Sequence, residues 1–81
     1  MTNRKIDEKE IILTARNEDI DTLYSIINDW SIALYLHIKN EVKLNDNRKK
    51  VHIIGEKEAI KLLQIKIKQI ITKEKYDITV I

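Results

Sequence analysis

From Glu10 to Arg16 the chain alternates, with Ile11, Leu13 and Ala15 on one side and Ile12, Thr14 and Arg16 on the other. That is the period of a strand with one buried face. The preceding residues 1–8, MTNRKIDE, carry no apolar period and read as a mobile arm, leaving 9–81 as a single domain. A helix start follows the strand. Asn17 is a candidate N-cap, and Glu18, Asp19 and Asp21 place negative charge at the positive end of a helix dipole. At about 100° per residue, Ile20, Leu23, Tyr24, Ile26, Ile27 and Trp30 share one arc of a helix over roughly residues 18–30.

The next segment can be read in two ways. As a strand, Ile32, Leu34, Leu36 and Ile38 share a face with Val42 and Leu44; continued as helix, Ile32 and Leu36 fall on the polar side. The strand spoils fewer positions but is long, so a bulge near Lys39–Glu41 or a helical start to residues 31–38 stays open. Asp46 and Asn47, residue types that tolerate positive φ, then form a hairpin turn, and two turn residues would set Val42 opposite Val51. Gly55 is expected to break the strand, with Glu56 and Glu58 opening a second helix. Ala59, Ile60, Leu63, Ile67, Ile70 and Ile71 form its apolar arc, and Lys61, Gln64, Lys68, Thr72 and Lys75 lie opposite. Residues 77–81, DITVI, close the chain as a short strand. The order strand, helix, strand, strand, helix, strand predicts an α+β, two-layer βαββαβ domain, ferredoxin-like or KH-like. One antiparallel sheet would carry both helices on one face.

Composition narrows the function classes. The 81 residues are 43% hydrophobic and 35% charged, with no Cys. A disordered tail and a disulfide scaffold are thereby excluded, as are thiolate metal sites and thiol catalysis. No apolar run is long enough to span a bilayer, so a cytoplasmic domain without a membrane role is expected. Seventeen Ile and twelve Lys take up more than a third of the chain. That bias suits an A+T-rich coding sequence.

The net charge of +2 conceals two unlike halves. Residues 1–47 hold six Lys/Arg against nine Asp/Glu, a balance of −3; residues 48–81 hold nine against four, a balance of +5. Arg48, Lys49 and Lys50 gather at the hairpin, and Lys61, Lys68 and Lys75 recur every seventh residue on the second helix. Such a pattern could neutralise phosphates, and it is also what a solvated helix face written in lysine looks like. If Ile11 and Leu13 face the helices, the opposite sheet face presents Ile12, Thr14, Arg16, Tyr35, His37, Lys39, Lys43, Lys50, His52, Ile54, Thr79 and Ile81. Cations and a ring on an open sheet suit single-stranded nucleic acid, whereas Ile12, Ile54 and Ile81 would suit a second copy of the chain. Catalysis has little support. His37 and His52 with Glu41 make too thin a set for a metal site, and no Gly-rich phosphate loop, activated nucleophile or paired carboxylates can be found, so neither cofactor nor small-molecule substrate is expected.

The stretch Val51-His52-Ile53-Ile54-Gly55-Glu56-Lys57-Glu58-Ala59-Ile60, continued by Leu63, Ile67, Ile70 and Ile71, resembles the last strand and helix of a KH domain. The resemblance covers residues 51–71 and implies an α/β topology and binding of single-stranded nucleic acid. KH domains grip their ligand with a GxxG loop, and no glycine lies between Arg16 and Ile32 to supply one. The leading expectation is a non-enzymatic module that docks on a protein partner as a small regulator or inhibitor, of the kind phage and mobile elements carry, with a homodimer as one form. RNA or single-stranded DNA binding and pure self-assembly are the alternatives.

Overall fold

The computed structural model describes residues 5–73 and 76–81. In chain order its elements are β1 (Ile6–Thr14), α1 (Ile20–Ala33), β2 (His37–Asn45), β3 (Arg48–Glu56), α2 (Lys57–Lys73) and β4 (Asp77–Val80). The strands form one sheet in the order β2-β3-β1-β4, and every neighbouring pair is antiparallel. Both helices pack on one side of it. Alternation puts Ile11, Leu13, Val51, Ile53 and Ile78 on that side, where they meet Ile20, Leu23 and Ile27 of α1 and Ile60, Leu63 and Ile67 of α2 in one buried core. This is the two-layer βαββαβ arrangement that the order of elements predicts.

Several local expectations are corrected. β1 begins at Ile6 rather than Glu10: Ile6, Asp7 and Glu8, placed by the sequence in an arm, pair with Glu56, Gly55 and Ile54. Asn17 does not cap α1. The cap position belongs to Asp19, without a side-chain bond, and the entry is closed by backbone bonds from Asp19 and Ile20 to the Arg16 carbonyl.

At its other end α1 runs on to Ala33, so residues 31–33 are helix and not strand. Ser31 falls on the buried stripe one turn after Ile27. Its hydroxyl donates to the Ile27 carbonyl at 2.8 Å, which satisfies the only buried polar side chain among the described residues. Trp30, expected inside, lies at the rim with Lys66 Nζ 4.7 Å from its ring centre. The helix ends in a six-residue hydrogen-bonded turn. Leu36 N–H donates to Ser31 O and Tyr35 N–H to Ile32 O, while Tyr35 takes a φ of 59° at the position usually held by glycine.

The hairpin has the two turn residues expected, Asp46 and Asn47, but neither adopts positive φ. Asn45 Oδ1 instead accepts the Asn47 N–H at 2.8 Å. A bulge between Lys43 and Asn45 moves the register by one, so Val51 faces Glu41 and Val42 faces Lys50. A second irregularity lies between Ile38 and Asn40, where the sequence placed one. Gly55 does not break β3, which continues to Glu56. Its missing side chain instead makes room for Leu36, because a Cβ on Gly55 would collide with Leu36 Cδ2.

Candidate functional site

The face of the sheet away from the helices carries part of the predicted set of binding residues. The register there sets Val42, Lys50, Ile12 and Thr79 in one row across the sheet, Asn40, His52 and Glu10 in the next, and His37, Ile54 and Glu8 in the third. Glu8 and Glu10 change the character of this surface. Glu8 Oε1 lies 3.4 Å from both Lys39 Nζ and His52 Nε2, and Glu10 Oε2 lies 3.4 Å from Lys50 Nζ. Lys39, Lys50 and His52, candidates for meeting phosphates, are matched within the face by carboxylates of β1.

The remaining candidates are scattered. Tyr35 is not on the sheet; it stands 95% exposed in the α1–β2 turn. Arg48 is at the opposite end of the hairpin, seven residues along β3 from Gly55, which is about 23 Å at a strand's rise of roughly 3.3 Å per residue. Arg16 lies past the end of β1, 4.0 Å from Glu18. Lys43 pairs with Lys49 and is turned by the bulge to the helix side, where its Nζ is 3.4 Å from Asp46. Lys49 also faces the helices, with its Nζ 4.5 Å from the centre of the Tyr24 ring. The basic run Arg48-Lys49-Lys50 is therefore divided between two faces. Ile12 and Ile54 are separated by the row of Glu10 and His52, and Ile81 follows the last paired residue, so these three isoleucines do not form one apolar patch. Glu41 lies on the helix side, away from His37 and His52.

Glu41 has a different partner. It accepts a hydrogen bond from the Tyr24 hydroxyl, and that bond, with burial and the carboxylate's charge, pushes the phenol up to about 12. The Glu41–Tyr24–Lys49 cluster thus ties α1 to β2 and β3. Beside it, a cleft of about 340 Å³ lined by Asp21, Glu41, Lys43, Arg48 and Lys49 holds both signs of charge at close quarters.

The most distinct apolar feature is elsewhere, along the outer side of α2 where it overlies β4. A groove of about 580 Å³ runs between Ile65, Lys68 and Ile71 of the helix and Ile78 and Val80 of the strand, with Lys61 at one end. Ile65 is 52% exposed, and Ile71, expected in the core arc, is 38% exposed. Lys61 and Lys68 therefore rim a groove rather than standing opposite the core; Lys75, the third lysine of that series, lies outside the described residues. Lys61 makes an exposed pair with Glu58 at 3.5 Å, whereas no ion-pair partner of Lys68 is found among the described residues. The sequence held one signal of this groove. Ile65, like Leu62, breaks the polar side of the amphipathic α2 helix, and both are about half exposed.

β4 is an edge strand, so one row of its backbone groups has no partner in the sheet. The Ile81 N–H donates to Glu10 O at 2.8 Å, and alternation from that bond turns the N–H and C=O of Ile78 and Val80 outward. The residues that floor the groove are thus the ones whose backbone groups turn out of the sheet, with no partner among the described residues.

No protein-family model matches the chain, and no curated protein matches it. Among solved structures the chain is similar to one described as "De novo designed protein Ferredog-Diesel", with a TM-score of 0.63 at 16% identity, covering 100% of this chain and 88% of that one. At that identity the likeness concerns the fold alone, which is ferredoxin-like. Among the described residues no helix is long and apolar enough to cross a membrane.

Proposed function

We propose that this chain is a non-enzymatic binding module that docks on a protein partner through the groove between α2 and β4. One observation carries the reading: an apolar groove adjoins a sheet edge whose outward backbone groups belong to the groove-lining residues Ile78 and Val80. Protein chains satisfy both demands together, since an extended segment offers main-chain hydrogen bonds and side chains at alternate positions. Nucleic acid has no such backbone, and the cations of the open sheet face are already matched by Glu8 and Glu10.

A photoreactive amino acid placed at position 65, compared with the same group at position 35, tests the proposal in cells expressing the chain. Position 65 should yield adducts with another protein, and position 35 should not. Adducts solely with nucleic acid, solely with a second copy, or equally from both positions would overturn it.

A further inference from the structure

We infer that the occupant of the α2–β4 groove is an extended acidic segment, adding as a fifth strand beside β4, with carboxylates flanking an apolar residue on its groove-facing side. The inference rests on the docking function proposed above and specifies the chemistry of the partner. Its first support is charge. Among the described residues the groove has two cations in its lining, Lys61 and Lys68, and no carboxylate. The cleft beside Glu41 and Lys49 and the open sheet face, by contrast, each contain both signs. Among the described residues the one carboxylate that pairs with either lysine is Glu58, 3.5 Å from Lys61 on an exposed turn of α2, and such surface pairs contribute little.

Spacing gives the pattern. Lys61 and Lys68 are seven residues apart on a helix, about 10 Å along its axis at roughly 1.5 Å per residue. Groove-facing side chains of an added strand recur every second residue, and four residues span about 13 Å. Acidic side chains at i and i+4 therefore fall within reach of the two flexible lysines. The residue at i+2 then lies over Ile65, Ile71 and Val80.

A second copy of the chain fits poorly. Two β4 edges laid side by side would bring the same two α2 lysines toward their counterparts. On its helix-facing side β4 offers Ile78 and Val80, with no carboxylate to relieve that repulsion. Like charges across an interface select against a partner, which leaves a foreign acidic segment as the complementary occupant.

The test uses three labelled ten-residue peptides. In the first, Thr alternates with the series Glu, Val, Glu, Val, Glu; the second has Lys in place of Glu; the third is a scramble of the first. Fluorescence anisotropy with the full chain should show the Glu peptide binding at least about tenfold more tightly than either control, and more weakly as salt is raised. Lys61→Glu with Lys68→Glu should remove that preference and favour the Lys peptide. Both positions are exposed, so circular dichroism should show an unchanged fold. Equal affinity for the Glu and Lys peptides, no binding of the Glu peptide, or no change in preference in the double variant would overturn the inference. Protein adducts from position 65 alongside a failed peptide test would remove the acidic-strand inference and leave the docking function standing.

Discussion

Tyr35 and Gly55 hold each other's expected places. The one residue with positive φ among those described is a tyrosine, and the chain's one glycine sits in an extended strand where any residue could adopt the backbone. Each has a local cause. The turn after α1 must bend left-handed to let Leu36 N–H reach Ser31 O, and Leu36 then folds down into the space that Gly55 leaves empty. Because the Tyr35 ring is solvent-exposed, Tyr35→Gly should relieve the backbone without losing packing. A gain of about 0.5–1 kcal/mol is expected in urea denaturation, and a loss with Tyr35→Val, since a β-branched residue disfavours that region. Gly55→Ala should cost about 1–2 kcal/mol by crowding Leu36, and much of that cost should vanish in a Leu36→Ala background. Neither role was legible in the sequence, because both arise from a contact between segments 19 residues apart.

Tyr24 carries a pH dependence at the same scale. Its phenol has an ordinary value of 10.0 and is raised to about 12 in the folded chain by Glu41 and burial. The folded state thus holds this proton more tightly than the unfolded one. Its contribution to stability is intact below pH 10 and is lost as pH climbs through 12. Ultraviolet titration of the folded chain should find this ring protonated past the usual tyrosine range, and Glu41→Gln should bring its titration down.

Between elements, the legible parts were those whose apolar period is carried into the core. The stripe of Ile60, Leu63 and Ile67 and the alternation of Ile11 and Leu13 are buried as their spacing implies. The illegible parts have periods written in polar residues. Residues 6–10 are a strand whose open face is Ile6, Glu8 and Glu10, and its pairing to Lys39, Lys50 and His52 cannot be read from residues 1–10 alone. Ser31 hides the last turn of α1 for a related reason, since a serine on the apolar stripe looks like an interruption until its hydroxyl is seen bonded to Ile27. Ser31→Ala should therefore change stability by less than about 1 kcal/mol, while Ile27→Ala should cost about 2–5 kcal/mol, both by chemical denaturation. A large loss at Ser31 would mean that its hydroxyl holds more than its own helix turn.

Across the whole molecule, topology undoes the charge separation along the chain. The strand order β2-β3-β1-β4 interleaves the two halves, so each strand from the basic half lies beside a strand from the acidic half. Lys50 and His52 meet Glu10 and Glu8 for this reason. What survives is local, at the α2–β4 groove, where a helix and an edge strand both come from the basic half. Light scattering should accordingly find a monomer. A labelled single-stranded oligonucleotide should show no anisotropy change even at low salt, where phosphate binding would be strongest.

The groove and the free edge of β4 are tested most directly by an amide chemical-shift titration of the full, isotope-labelled chain with the alternating Glu/Val peptide. The largest changes should fall on the amides of Ile78 and Val80, followed by α2 residues 61–71. Changes centred on β2 or on the row of Asn40, His52 and Glu10, or none at saturating peptide, would contradict docking at this edge.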